Sequence, residues 1–411
     1  MVERKVVKNT VFLSSANLFA RAIGFFYFVF LGRVLGVENF GHYNFALALV
    51  YNFYPVADFG MERLILRDLS RKSEQAQQYF QKLIPLRISL ALTSVFLVTL
   101  LGFFLSKSNF DRLNIFIFSF CLVPWTFNQL VAGIGNAFEK MEMQSLAVAG
   151  TSLLTVLLGG FVAFFGGNVT LILLAAFLAN SLVTLVMFKM SQRLGLEFKI
   201  EIDKDFWKKI LQESWVFALI MIIAVFYLRA STVMVNFFKG AYATGLYSSV
   251  FKFIEASILI PQSFALALFP QTARLLFADK EKLKRNYLKS LGLIFLFALV
   301  FALVLYLFSP FILKIAYGEK YLGAVGVAKI LALAAIFFFV NALPGNIIQN
   351  SSRVKNFLPF AFANLVLVVV LGGIFIPRWA IEGAAAAVLL AEIAGFLINN
   401  CFVWKILNEK S

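Results

Sequence analysis

The sequence predicts an all-α polytopic membrane protein, with about twelve transmembrane helices in two six-helix lobes around a central cavity. Three observations carry that reading. Apolar residues make up 61% of the chain, charged residues only 14%, and mean hydropathy is +0.87, whereas a soluble domain is about half apolar and a quarter charged. Apolar runs of spanning length recur in two groups of six. A short signature is repeated, Gly36-x4-Gly41-x-Tyr43 and Gly240-x4-Gly245-x-Tyr247, 204 positions apart. A duplicated bundle of membrane helices is the mark of a carrier that rocks two halves about a central site.

A hydrocarbon core needs roughly 20 apolar residues per helix. Such runs lie near 11–31, 43–60, 83–105, 113–135, 146–166 and 169–189. They resume near 214–236, 246–269, 288–313, 325–346, 357–376 and 381–404. The polar stretch between the groups, Lys189 to Glu213, is the longest loop and reads as the linker between lobes 1–205 and 206–411. The 50 phenylalanines suit a large lipid-facing surface. The basic N-terminal segment precedes an apolar run too long for a cleavable signal, so that run reads as the first span.

Lysine and arginine set the orientation. If both ends lie in the cytoplasm, inner segments hold 25 of the 37 basic residues and outer loops hold 7. Cytoplasmic loops are enriched in these residues. Both termini are therefore expected inside. Six spans per half is an even number, so the halves enter with equal polarity and form a parallel repeat about the membrane normal. The formal charge of +16 is spread over these loops and does not form a nucleic-acid footprint. The basic loops Arg63–Lys82 and Glu281–Arg285 are expected on anionic lipid headgroups.

Five basic residues remain inside spans: Arg21, Arg87, Arg229, Lys252 and Lys329. The intramembrane acids are Asp58, Glu255 and Glu392, with Glu382 at a helix edge. A charge near the bilayer centre costs about 3 kcal/mol or more unless it faces a polar interior. Helical spacing groups these residues with other polar ones. Ser14, Asn17, Arg21 and Gly24 share one face of the first span. Asn44, Ala48, Tyr51, Pro55 and Asp58 share one face of the second, and Arg229, Thr232 and Asn236 one face of the seventh. On the eighth, Ser248, Lys252, Glu255 and Gln262 align. Four such faces are expected to line one wet cavity, with Arg21, Arg229 and Lys252 attracting an anion such as a diphosphate.

Internal pairing is the competing account. Lys252 and Glu255 are an i, i+3 pair, and Asp58 can balance Arg21. Arg87 and Lys329 lie near span ends and are expected to snorkel. Asp58, Glu255 and Glu392 are candidates for binding a coupling proton or sodium ion as well as for charge balance. His42, the single histidine, falls at an expected outer turn and reads as ordinary surface. Cys121 and Cys401 lie in apolar segments and imply no disulfide. No metal cluster, nucleophile–histidine arrangement or phosphate-binding glycine loop is present in the sequence. An ATP-driven pump is excluded with them, and no cofactor is expected beyond a coupling proton or sodium ion.

Several motifs then fall into a familiar order. They are Asn9, Arg21, Leu31-Gly32-Arg33, Leu35-Gly36, Phe40-Gly41-x-Tyr43 and Asp58-Phe59-Gly60, followed by Arg67 and Arg71. Further on come Gly245-x-Tyr247, Phe269-Pro270, Tyr317-Gly318-Glu319-Lys320-Tyr321 and Gly383 with its alanines. In this order the chain resembles the polysaccharide transport family, the Wzx-type flippases of the multidrug/oligosaccharidyl-lipid/polysaccharide (MOP) exporter superfamily. The resemblance implies a cationic cavity between two six-helix bundles in the bacterial inner membrane. It also implies translocation of an undecaprenyl-diphosphate-linked oligosaccharide, an O-antigen or other surface polysaccharide unit, by alternating access. Arg21 takes the first-span role by position. Membrane lipids and the polysaccharide polymerase machinery are the implied partners, with no nucleic acid. Two alternatives within the superfamily stay open, a cation-coupled multidrug exporter and a peptidoglycan-precursor flippase. The latter usually has fourteen spans. A membrane enzyme is disfavoured because every expected outer loop is short.

Overall fold

A computed structural model describes the backbone of residues 2–351 and 354–408, and the side chains of 18–351 and 356–408. Among the described residues the chain is helical, with no strand. In hydrocarbon every backbone N–H and C=O must be satisfied within its own segment, which a helix does. Among the described residues, nine helical segments are long and apolar enough to cross a membrane.

Three of the nine exceed 50 residues: Leu18–Leu69, Lys204–Ala278 and Asn356–Asn408. Each has the length of two crossings, and each contains a break. The first helix, α1 (Val2–Tyr51), breaks at Gly36 (φ 71°, ψ 172°). The helix Lys204–Ser257 breaks at Gly240 (φ 82°, ψ −175°). The helix Val354–Asn408 breaks at Trp379 and Ala380. The turns expected over 32–42 and 237–245 are thus single-residue breaks, and the two glycines of the repeated signature are the breaking residues. A side chain at Gly36 or Gly240 would meet nothing within 4 Å. Glycine is needed there for its backbone angles, a region almost closed to other residues. The tyrosine seven residues on is buried in both copies, Tyr43 and Tyr247.

The chain divides into two compact units, Met1–Phe226 and Tyr227–Ser411. In the first unit, α1 is followed by α2 (Tyr54–Asp58), α3 (Met61–Leu69), α4 (Ala76–Leu105), α5 (Asn109–Ser119) and α6 (Leu122–Ala137). Then come α7 (Met141–Ser145), α8 (Thr151–Phe164) and α9 (Val169–Arg193). Its core joins Met61, Leu64 and Ile65 of α3 to Phe80 and Leu83 of α4, Leu130 and Val131 of α6, and Met187 of α9. Ile210 belongs to the same core, so the start of α10 (Lys204–Ser257) packs with the first unit. The boundary expected at 205/206 falls at the start of α10; the division between units falls within that helix.

The second unit holds the rest of α10, then α11 (Leu259–Ala278), α12 (Lys280–Tyr317), α13 (Val325–Val340), α14 (Pro344–Asn350) and α15 (Val354–Asn408). Here α13 packs on both α12 and α15. Small residues on both helices are fully buried, Ala328, Ala332 and Ala335 on α13 and Ala384, Ala387 and Ala391 on α15. Lipid tails are as apolar as leucine, so membrane helices associate through close packing of small residues rather than by escaping water. Large apolar groups face outward instead, among them Phe104, Phe164, Leu303 and Phe311.

Candidate functional site

In the first unit, Asp58 ends α2, and Phe59 (φ 51°) and Gly60 (φ 71°) turn the chain into α3. A Cβ at Gly60 would stand 2.7 Å from the backbone N of Ala218; close approach and positive φ both demand glycine. The turn aims Asp58 inward, where its Oδ1 accepts from Arg87 Nη2 at 2.7 Å. Arg87 Nη1 donates to the Thr126 carbonyl at 3.0 Å. Both side chains are almost wholly enclosed, 1% exposed for Arg87 and 2% for Asp58.

Two expectations are corrected here. Arg87 does not snorkel, and the cation that Asp58 balances is Arg87, not Arg21. The reason is geometric. Arg87 lies on the face of α4 that packs on α2 and α6, so its only route to neutralisation is a carboxylate brought to the same depth. The polar face expected on the second span is likewise turned into the first unit. Asn44 and Ala48 are buried with Asp58, and Asn44 Nδ2 donates to the Phe40 carbonyl at 2.7 Å. Arg21 is exposed and belongs to no ion pair among the described residues. The side chains of Ser14 and Asn17, its expected neighbours, lie outside the described residues.

His42 is not ordinary surface. Its Nδ1 lies 2.6 Å from Asp111 Oδ1, with side-chain exposures of 15% and 5%. The ring meets Phe110 edge-on. Asp111 sits on α5, 69 residues away, so no local spacing announces the pair.

In the second unit, Arg229, Lys252 and Glu255 converge. Arg229 Nη2 donates to Glu255 Oε1 at 2.5 Å, and Lys252 Nζ to Glu255 Oε2 at 3.0 Å. The three side chains are between 21% and 24% exposed. The i, i+3 pairing read from the sequence is present, and Arg229 joins it from one side of Glu255. Two cations on one carboxylate leave a formal charge of +1 at a partly open site. Thr232, Asn236 and Ser248, expected to share the wet face, are buried.

Glu392 is a different kind of acid. It is buried and receives hydrogen bonds from neutral donors: Tyr227 Oη on Oε1 at 2.7 Å and Asn341 Nδ2 on Oε2 at 2.8 Å. Asn399 Nδ2 donates to Asn341 Oδ1 at 3.3 Å behind them. No cation pairs with it among the described residues. Sequence reasoning singled out Glu392 but missed Tyr227, Asn341 and Asn399. Asparagines inside apolar runs were the available signal.

The long apolar helices define a multi-pass membrane protein. A family model described as "Polysaccharide biosynthesis protein" matches residues 6–276, and the chain belongs to that family. A Shigella flexneri protein named "Putative O-antigen transporter" is 26% identical over 410 residues, covering 92% of this chain and 93% of its own. Among solved structures, "Lipid II flippase MurJ, inward closed conformation" superposes with a TM-score of 0.77 at 16% identity. It covers 97% of this chain and 89% of its own. The inward-facing conformation of a multidrug resistance MATE family transporter of the MOP superfamily gives 0.75 at 16% identity, covering 96% of each chain. At such identity the two likenesses establish a MOP-type fold.

Proposed function

We propose that the chain is a flippase for polyprenyl-diphosphate-linked oligosaccharide repeat units, working by alternating access in a bacterial cytoplasmic membrane. The observation that supports the reading most is the Arg229–Glu255–Lys252 cluster, which gathers two cations and one carboxylate at a partly exposed position within an apolar helix. Arg21, exposed and in no ion pair among the described residues, adds a second cationic position. A cationic site suits a diphosphate, which accepts hydrogen bonds from both guanidinium and ammonium donors. A site built for cationic drugs would leave carboxylates uppermost. The family membership and the named Shigella flexneri relative support a lipid-linked saccharide as cargo. In this reading twelve crossings place both termini in the cytoplasm, in keeping with the basic loops.

Glu392 is the acid we assign to a coupling proton or sodium ion. Asp58 and Glu255 are each held by a cation, whereas Glu392 has only neutral donors among the described residues and can change its charge state without breaking an ion pair there.

Complementation of a strain lacking its own oligosaccharide flippase tests this, scored by surface polysaccharide at equal membrane abundance. Wild type should restore the polymer, and Arg21→Gln combined with Arg229→Gln and Lys252→Gln should lower it at least about tenfold, the equivalent of losing one charge-assisted hydrogen bond. Glu392→Gln should insert normally and lose dependence on the ion gradient. Undiminished export by the triple variant would overturn the assignment of the cations.

A further inference from the structure

The segment joining α9 to α10 carries a second, separate feature. Residues 197–203 form neither helix nor strand, and in them Phe198, Ile200 and Ile202 alternate with Lys199, Glu201 and Asp203. The polar side of this strap is fastened to α4. Glu197 N–H donates to Gln77 Oε1 at 3.0 Å, and Gln77 Nε2 returns a bond to the Glu197 carbonyl at 3.0 Å. The Glu201 N–H donates to the Gln81 carbonyl at 3.3 Å. Lys82 Nζ reaches Asp203 at 2.7 Å and Glu201 at 3.7 Å. The Lys82 ammonium, followed by the backbone N–H of Phe206, holds the Asp203 carboxyl below its ordinary range.

The apolar side is largely exposed, with only Phe198 meeting another ring, edge-on to Phe188. Phe198, Ile200 and Ile202 are 49%, 58% and 66% exposed. A segment fixed by this many bonds and still presenting three large apolar groups outward is built against something apolar.

The helix that follows continues the surface. A groove opens along its first turns, with Trp207, Leu211 and Trp215 at i, i+4 and i+8 forming one stripe. Lys204 and Lys208, at i and i+4, form the adjoining stripe. The Trp207 indole N–H is already satisfied by the Lys82 carbonyl at 2.7 Å, so its ring is fixed. The strap's acids Glu201 and Asp203 are engaged by Lys82, whereas Lys204 and Lys208 belong to no ion pair among the described residues. No carboxylate lines the groove.

Depth fixes the setting. From Lys204 to the break at Gly240 the helix is about 54 Å long, against roughly 30 Å of hydrocarbon. The hydrocarbon takes about 20 residues of helix, which the segment 216–235, opening with the unbroken apolar run from Val216 to Leu228, supplies, and this leaves 204–215 at the membrane–water boundary. Tryptophan and lysine favour that layer, the one for its amphipathic ring and the other for its headgroup contacts.

We propose that this groove of the first unit is a binding site for an anionic glycerophospholipid. Lys204 and Lys208 hold the phosphate of the headgroup. One acyl chain lies along Trp207, Leu211 and Trp215, and the strap residues Phe198, Ile200 and Ile202 dip into the same layer. The site is distinct from the cationic cluster in the second unit and does not depend on the cargo.

The test uses the full chain with Trp125, Trp379 and Trp404 replaced by Phe, so that emission reports Trp207 and Trp215. The protein is reconstituted in phosphatidylcholine vesicles containing increasing brominated phosphatidylglycerol, or brominated phosphatidylcholine as the neutral control. Quenching by the anionic lipid should saturate at a low mole fraction, and quenching by the neutral lipid should rise only in proportion to its content. Lys204→Gln with Lys208→Gln should raise the half-quenching fraction of the anionic lipid roughly tenfold or more, while Lys204→Arg with Lys208→Arg should preserve it. Persistent quenching by the neutral lipid verifies that each variant is inserted. Equal quenching by the two lipids in wild type, or an unchanged preference in the glutamine variant, overturns the proposal. Relief of quenching by excess inorganic phosphate would also overturn it, because the site would then take the free anion.

Discussion

At the scale of single residues, the chain keeps its intramembrane charges in three distinct states. Asp58 and Arg87 are closed upon each other, Arg229 and Lys252 share Glu255, and Glu392 is held by neutral donors among the described residues. The first state is structural, and it predicts a stability effect. Asp58→Asn leaves the Arg87 guanidinium buried against a neutral amide, and breaking such a pair on one side costs about 3–5 kcal/mol. Thermal unfolding in detergent should show that loss. Replacing both residues by leucine should recover most of it, since the buried charge then disappears from both sides. Equal instability of the single and double variants would mean that the pair is not what orders this region. The same contrast shows how far a sequence can be read. The Lys252–Glu255 contact was legible because three residues of one helix bring two side chains together whatever else the chain does. The Asp58–Arg87 and His42–Asp111 contacts were not, because they depend on how two helices are rotated against each other. Nothing local to either residue records that rotation.

At the scale of elements, the repeated signature turns out to mark the point where a long helix is interrupted and restarted. Gly36 and Gly240 adopt nearly the same backbone angles, with open space where a side chain would point. Substitution there is a matter of torsion alone. Gly36→Ala and Gly240→Ala should each cost about 1–3 kcal/mol, the range for holding a non-glycine residue in such a region. Gly24→Ala, which also meets open space but lies at an ordinary helical position, should gain slightly. Melting temperatures of the three variants separate the accounts, because a purely steric role for the glycines would leave all three near wild type. The apolar runs that announced these helices were legible because transfer into hydrocarbon depends on composition. The turns between them were over-read as loops of about ten residues. A run of polar and small residues looks the same whether it forms a loop or the end of a continued helix, and only the glycine distinguished the two.

At the scale of the whole molecule, the basic residues make a claim about orientation that the helices themselves leave open. The segments richest in lysine and arginine, Arg63–Lys82, Lys189–Lys209 and Arg274–Lys289, are separated along the chain by even numbers of expected crossings, as is Lys140. Lys107 and Gly166 are an odd number of crossings away from them. A single orientation therefore places Lys140 and Glu281 on one side and Lys107 and Gly166 on the other, with the basic side in the cytoplasm. The chain offers a clean background for checking this, since its two cysteines, Cys121 and Cys401, can be replaced by alanine. In that background Lys107→Cys or Gly166→Cys should react with a membrane-impermeant maleimide added to intact cells. Lys140→Cys and Glu281→Cys should react only after the membrane is permeabilised. Labelling of Glu281→Cys together with Lys107→Cys from outside would break the even spacing between the two halves. The parallel repeat would then give way to an inverted one, and the shared role of Gly36 and Gly240 would have to be explained without a common polarity.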